Sequence, residues 1–222
     1  MTRDRVSNVC FHGIGAQHRE LDPGEDAYWA DTHQFLTILD EVATWPSTQI
    51  SFDDSNESDV LIALPALLER RMTAQFFLVA GRLGSPTFLS AEHVREMAAK
   101  GMGIGSHGMS HRPWLGMTSS SRQAELIDAR RLLEDIVGSP VVEAACPMGL
   151  YDRRLLGDLR RLGYQRVYTS DRAAARRDNW LQPRYSVRRE DTPESMRAEV
   201  LKRPSVGRLV QQSAKGLVKQ LR

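Results

Sequence analysis

Two neighbouring carboxylates, Asp53 and Asp54, directly follow the apolar run that ends at Phe52, in the stretch ISFDDSN. Adjacent side chains point in different directions, so the two groups can serve two different tasks. If the run is a strand of a parallel sheet, both carboxylates lie at the edge where such sheets build their active sites. The same pair would also suit an ordinary turn or the start of a helix. The motif alone leaves both interpretations open.

Two histidines, His107 and His111, follow a second strand-like run, four residues apart in IGSHGMSHRP. Two imidazoles and one carboxylate form a set that suits a divalent transition metal and leaves coordination positions for water and substrate. Either histidine alone would more often be structural. Together with the aspartates, they favour a metal centre.

The elements that must position these residues alternate along the chain. Seven short runs are predicted strands: Asn8–Phe11, Gln49–Phe52, Gln75–Val79, Gly103–Ser106, Val141–Ala145, Gln165–Thr169 and Arg184–Val187. Helical periodicity predicts helices at Thr32–Ala43, Ser90–Lys100, Ser120–Val137, Asp152–Leu162 and from Pro193 onward. The alternation predicts an α/β fold with parallel strands, as a closed barrel or an open doubly wound sheet. The irregular loop Gly13–Asp26 is expected at its rim.

The composition is that of an ordinary globular protein: 222 residues, 41% hydrophobic, with a net charge of +2. We expect one domain over residues 1–222, with a basic tail at about 202–222. Cys10 and Cys146 are expected to be buried thiols rather than a disulfide. No run approaches the roughly 20 apolar residues of a transmembrane helix, and none resembles a signal peptide, so we expect a cytoplasmic protein.

The motifs together resemble those of the polysaccharide deacetylase family, also called the NodB-homology or carbohydrate esterase 4 family. SFDDSN resembles its first motif, SHGMSHRP its second and ACPMGLYD its third, and the resemblance extends from about Asn8 to Val187. It implies a deformed (β/α) barrel of about seven parallel strands.

The resemblance also implies roles for individual residues. Asp54, His107 and His111 are expected to bind one divalent metal, with Zn²⁺ as the first choice and Co²⁺, Ni²⁺, Fe²⁺ or Mn²⁺ as alternatives. Asp53 is expected to act as the general base. The backbone N–H of Met148, in the third motif, is the expected oxyanion donor.

Three departures from the family pattern need an explanation. Ser55 replaces the glycine that follows the aspartates, which is tolerable if its backbone keeps a negative φ. Ala145 replaces the arginine that orients the base, and Arg184 either substitutes for it or is a surface residue. No histidine follows His111. His12, at the end of the first strand, is therefore the candidate acid, as in family members with a permuted motif order; alternatively, it has only a structural role in the Gly13–Gly15 turn.

The expected activity is metal-dependent removal of an N-acyl group, most simply acetyl, from an amino sugar. A catalytically silent carbohydrate-binding relative, or a deformylase or cyclic-amide hydrolase of the same fold, are the alternatives. The expected partner is a carbohydrate, and because an export signal is not seen, a nucleotide-linked sugar, a lipid-linked sugar or a small glycoside is favoured. The tail LKRPSVGRLVQQSAKGLVKQLR carries six basic and no acidic residues, which suits peripheral contact with an anionic membrane as well as a solvated helix. Binding to nucleic acid is not expected, because aromatic residues do not interleave with the basic ones.

Overall fold

A computed structural model describes residues 5–201 of the chain. Its strands are β1 Arg5–Phe11, β2 Thr48–Asp53, β3 Gln75–Leu78, β4 Gly103–Ser106, β5 Glu143–Ala145, β6 Arg166–Thr169, β7 Ala175–Arg176, β8 Leu181–Pro183 and β9 Tyr185–Ser186. Its α-helices are α1 Thr32–Ala43, α2 Leu64–Glu69, α3 Ala91–Ala99, α4 Ser119–Arg122, α5 Ala129–Val137, α6 Arg153–Arg161 and α7 Pro193–Val200. The basic tail at about 202–222 lies outside the described residues.

The strands form a barrel in which the main ladders are parallel. Strands β1 to β6 pair in sequence order, and β8 pairs with β6. Strand β9 pairs with β1, so the single segment from Leu181 to Ser186 closes the circle. Counting that segment once gives the seven parallel strands that the family resemblance implies. The short β7 is antiparallel to β1 and was not predicted from the sequence.

The closing segment differs from the predicted strand Arg184–Val187. It begins at Leu181, and its ladder passes from β6 to β1 at Arg184, which belongs to neither short strand. Inside the barrel, Asn8 Nδ2 donates to Gln182 Oε1 at 2.9 Å and thereby links the first strand to the closing one. The side chain of Arg184 meets Ser51 and Asp53 inside the barrel, where it is fully buried.

Alternate residues of the strands face the helices and the interior, as the period of two requires. Phe11, Phe52 and Phe76 stack on successive strands, with ring centroids 5.5 and 4.8 Å apart. Phe35 of α1 meets Phe11 edge-on at 5.1 Å, which anchors that helix on the barrel. The core between strands and helices is therefore apolar, and the polar residues are left for the interior and the rim.

Several helix boundaries follow local rules. Ser90 caps α3 by accepting a hydrogen bond from His93 N, and His93 Nδ1 accepts one from Ser90 N. The predicted helix Ser120–Val137 exists, but a wider π-helical turn, Gln123–Asp128, separates α4 from α5. Cys10 and Cys146 are buried thiols that are not joined in a disulfide, as expected. Within residues 5–201 there is no helix with the length and apolar character that crossing a bilayer requires.

Candidate metal-dependent active site

The residues singled out in the sequence meet at one mouth of the barrel because parallel strands end at the same rim. Asp53 is the last residue of β2, His12 directly follows β1, and His107 directly follows β4. Met148 lies in the turn Pro147–Gly149 after β5. All four line one cavity of about 270 Å³, together with Asp54 and His111.

The turn after Asp53 is strained in a way that separates the two aspartates. Asp54 and Ser55 both adopt positive φ, 81° and 64°, so the condition under which serine would be tolerated without strain, a negative φ at Ser55, is not met. Ser55 Oγ accepts a hydrogen bond from Val79 N at 2.8 Å, and its carbonyl oxygen accepts one from Leu89 N at 3.0 Å. These contacts offset a backbone conformation that costs about 1–3 kcal/mol per non-glycine residue.

Asp54, His107 and His111 converge on one point. Asp54 Oδ1 lies 3.6 Å from His107 Nε2 and 3.0 Å from His111 Nε2. The ligand atoms of all three side chains lie within 4.8 Å of one another. Asp54 Oδ1 is buried and has no well-directed hydrogen bond from any residue of the range 5–201. A buried carboxylate oxygen facing two imidazole nitrogens fits a divalent cation that takes mixed N and O ligands.

His107 is held in the protonation state that a metal ligand needs. Its Nδ1 lies 2.9 Å from the carbonyl oxygen of Ala145, to which an Nδ1–H donates. Burial, opposed by the nearby Asp53 carboxylate, lowers the pKa of His107 to about 4. The imidazole is therefore neutral at pH 7, with the lone pair of Nε2 directed toward Asp54.

Asp54 and His111 each stabilise the charged form of the other. Burial alone would raise the pKa of Asp54, but His111, His12 and His107 together hold that pKa well below its ordinary value. Burial would likewise lower the pKa of His111, and the Asp54 carboxylate instead raises it. An ionised carboxylate that attracts positive charge to this point is what a cation site requires.

Asp53 forms an ion pair with Arg184 and does not belong to the group formed by Asp54, His107 and His111. Arg184 Nη1 and Nη2 donate to Asp53 Oδ1 and Oδ2, each at 2.7 Å. Arg184 Nη1 also donates to Ser51 Oγ at 3.1 Å, and the guanidinium carbon lies 5.2 Å from the centroid of the Phe77 ring. Burial would raise the pKa of Asp53, but the charge of Arg184 lowers it. Arg184 is thus a buried partner of Asp53 and not a surface residue.

The remaining cavity wall carries His12 and Met148. His12 Nδ1 is buried without a hydrogen-bond partner among residues 5–201, and its ring centroid lies 5.1 Å from that of Tyr28. Met148 is 52% exposed and has a φ of 56°. Both residues line the cavity.

A second set of potential ligands, Cys10, His12 and Asp53, also lies within 4.8 Å. This set does not fit a cation. Both oxygens of Asp53 already accept hydrogen bonds from the Arg184 guanidinium, and burial raises the pKa of the Cys10 thiol far above neutrality. A metal there would face a protonated thiol and a buried positive charge.

Sequence reasoning missed two carboxylates that support the histidine loop. Glu125, in the π-helical turn, accepts hydrogen bonds from Met109 N at 2.8 Å and from Trp114 Nε1 at 3.3 Å. Asp22, in the rim loop, lies 3.4 Å from His111 Nδ1. The predicted rim position of the Gly13–Asp26 loop was a signal for Asp22. No local sequence pattern predicted that Glu125 would contact the histidine loop.

Comparison with known sequences gives a consistent result. A sequence model of the family described as polysaccharide deacetylase matches residues 43–167. The curated protein YxkH of Bacillus subtilis (strain 168), named as a candidate polysaccharide deacetylase, is 30% identical over 170 residues. That match covers 72% of this chain and 61% of YxkH, so the chain spans about three-fifths of the length of that relative.

Solved structures share the fold. A polysaccharide deacetylase from Bacillus cereus superposes with a TM-score of 0.78 and 17% identity, over 88% of this chain and 69% of that one. The deacetylase PplD of Streptococcus pyogenes, solved in complex with acetate, gives 0.76 and 18%, over 88% and 98% of the two chains. IcaB of Ammonifex degensii gives 0.74 and 20%, over 90% and 98%. At these identities the likeness establishes the fold alone.

Proposed function

Because the chain belongs to the polysaccharide deacetylase family, we propose that it is a metal-dependent hydrolase that removes an N-acyl group, first of all acetyl, from an amino sugar. One observation carries the proposal. The Asp53–Arg184 pair lies beside the point where Asp54, His107 and His111 converge, with His107 Nε2 3.8 Å from Asp53 Oδ2. This distance supports the proposal, because a carboxylate base at Asp53 and a cation held by the other three residues would both reach one amide bond.

Asp54, His107 and His111 would hold one divalent metal, with Zn²⁺ as the first choice and Co²⁺, Ni²⁺, Fe²⁺ or Mn²⁺ as alternatives. When bound, such a metal lowers the pKa of water and polarises an amide carbonyl. The chain would contribute two imidazole nitrogens and one carboxylate oxygen to it, a set that leaves positions open. Removal of the proton from water, stabilisation of the carbonyl oxygen and protonation of the leaving amine are proposed for Asp53, Met148 and His12, respectively.

Asp53 acts as the general base in this proposal. Each carboxylate oxygen has more than one acceptor site, so the two hydrogen bonds from Arg184 leave room to accept a proton from the attacking water. Arg184 fixes the orientation of the carboxylate and keeps it ionised, since it lowers the pKa of Asp53. Arg184 is therefore a positioning residue, which touches Asp53 and not the substrate.

The backbone N–H of Met148 serves as the donor to the carbonyl oxygen as that oxygen gains negative charge. Its turn after β5 places it at the cavity, on the β5 side of His107. Because a backbone group donates, the methionine side chain is free to differ from the aromatic residue of typical family members. The exposed thioether then contacts the sugar.

His12 supplies a proton to the leaving amine in this proposal. It faces the same cavity as Asp53, and its Nδ1 makes no hydrogen bond with residues 5–201 that would fix it in the Gly13–Gly15 turn. Imidazole is the side chain whose ordinary pKa lies nearest neutrality. It would do from the first strand what a late histidine does in typical members.

The proposed substrate is a carbohydrate whose amino sugar enters the cavity, as part of a polysaccharide, a glycolipid precursor, a nucleotide-linked sugar or a small glycoside. The acetate held by the Streptococcus pyogenes relative is the product that deacetylation would release.

We further propose that residues 1–222 form a single catalytic domain, and that the basic residues at about 202–222 contact an anionic membrane surface near a lipid-linked substrate.

The test is acid release from N-acetyl and N-formyl amino sugars, both small and polymeric, with Zn²⁺, Co²⁺ or Ni²⁺ and with Asp53→Asn as the control. Acetate release by the wild-type chain and not by the variant supports the proposal. Formate release alone would reassign the acyl group. Retention of carbohydrate without acid release under every metal would overturn hydrolysis and favour a binding protein.

A further inference from the structure

The rim loop Gly13–Asp26 reaches the back of one proposed metal ligand. Asp22 Oδ2 lies 3.4 Å from His111 Nδ1, while His111 Nε2 lies 3.0 Å from Asp54 Oδ1 on the opposite side of the ring. His111 thus stands between two carboxylates, one beside the convergence point and one behind it. His107 has a backbone carbonyl behind it instead. Substitution of Asp22 can therefore remove the group that faces Nδ1 of His111, whereas the group that faces Nδ1 of His107 is a backbone carbonyl, which no substitution removes.

Asp22 is held in place from two directions. Its carboxylate pairs with Arg82 Nη2 at 2.5 Å, and its backbone N–H donates to Glu25 Oε2 at 2.8 Å. Glu25 in turn accepts from Arg19 Nη1 at 2.9 Å, and Arg19 Nη2 donates to Asn56 Oδ1 at 2.9 Å. The chain of contacts ends two residues from Asp54, so the position of Asp22 is fixed relative to the metal ligands.

The chemistry of the neighbours decides what Asp22 does to His111. Arg82 Nη2 also lies 3.4 Å from His111 Nδ1, but a guanidinium can only donate and a carboxylate can only accept. A neutral His111 that donates from Nδ1 to Asp22 has its lone pair on Nε2, toward Asp54. A His111 that accepts from Arg82 carries its proton on Nε2 and cannot coordinate a metal there. Asp22 and Arg82 therefore favour opposite tautomers.

We propose that Asp22 is a positioning residue for His111, which selects the tautomer with a free Nε2 and thereby makes the rim loop a determinant of metal affinity. This rests on the proposed function, because it takes His111 as a metal ligand. Groups that accept a hydrogen bond from the far nitrogen of a ligating histidine orient the ring and typically change metal affinity 10- to 100-fold when removed. Arg82 has a supporting role, since it holds the Asp22 carboxylate.

The first experiment measures the affinity of the full chain for Zn²⁺ by competition with a chromophoric chelator. Asp22→Ala is expected to weaken binding roughly 10- to 100-fold, and Asp22→Asn by less, because an amide oxygen still accepts. The matched control is Asp26→Asn, an exposed carboxylate of the same loop, which should leave the affinity unchanged. Equal affinity in Asp22→Ala and wild type would overturn the inference, whereas a wild type that binds no metal would overturn the proposed function.

A second readout separates ring orientation from general loosening of the loop. In the Zn²⁺-loaded wild type, long-range ¹H–¹⁵N spectra should show His111 with its proton on Nδ1 and a hydrogen-bonded Nδ1–H resonance. Asp22→Asn, which preserves the shape of the side chain, should move that resonance while the signals of His107 stay in place. An unchanged His111 spectrum in this variant, with an unchanged urea midpoint, would contradict the positioning role.

Discussion

Arg184 meets the carboxylate of Asp53 through two parallel hydrogen bonds of 2.7 Å, although the residues are 131 positions apart. Arg184 lies where the closing segment passes from pairing with β6 to pairing with β1. Ala145, where many family members have an arginine, instead offers its carbonyl oxygen to His107. The closing segment therefore supplies the cationic partner of Asp53, and the third motif orients the His107 ring.

Loss of the Arg184 guanidinium should destabilise the fold. Arg184→Met leaves Asp53 buried without its partner, and breaking a buried pair costs about 3–5 kcal/mol. Urea unfolding should show a loss of this size, while Arg177→Met, a change at an exposed arginine, should cost less than about 0.5 kcal/mol. The double variant Asp53→Asn with Arg184→Met should lose less than the sum of the two single changes. A loss below 1 kcal/mol for Arg184→Met would contradict the pairing.

Asp53→Asn should keep the metal and lose turnover. An amide is close in shape to the carboxylate but cannot take a proton from water, so kcat should fall on the order of 10²- to 10⁴-fold. Metal content, measured on the same purified sample, should match the wild type because Asp53 is outside the ligand set. Nearly full activity of this variant would remove Asp53 from the mechanism.

His12→Ala should preserve both fold and metal while it lowers kcat. If His12 gives its proton to the leaving amine, the basic limb of the pH–rate profile should shift or disappear in the variant. His33→Ala, at an exposed histidine of α1, serves as the control and should leave the profile unchanged. A wild-type profile in His12→Ala would show that the histidine has only a structural role.

The buried tyrosines should make the protein sensitive to alkali. Burial raises the pKa of Tyr164 to about 12, whereas the unfolded chain ionises near 10. Because the folded value is the higher one, this contribution to stability is complete below about pH 10 and is lost as the pH rises toward 12. Between pH 9 and pH 11, the urea midpoint of the wild type should fall more than that of Tyr164→Phe. Equal falls would mean that Tyr164 does not ionise with unfolding.

The parts that local patterns control were predictable. The family resemblance and the barrel are confirmed by the family match and by the likeness to solved structures. They could be predicted because strand ends, histidine spacing and helix caps are each determined by residues close together in the sequence. The burial of Arg184 was not predictable, since it depends on closure of the barrel between the two ends of the fold. The positive φ of Ser55 depends on Val79 and Leu89, which no local rule connects to it. The site roles themselves remain predictions.

The most direct measurement is a metal titration of the chelator-stripped chain that follows bound Zn²⁺ and acetate release from an N-acetylated amino sugar in the same samples. The account predicts no release from the stripped chain, and recovery in proportion to bound metal up to one ion per chain. Asp54→Ala should bind no metal and stay inactive. Undiminished release after stripping, or full recovery of Asp54→Ala by Zn²⁺, would contradict the assignment of Asp54, His107 and His111 as the metal site for this reaction.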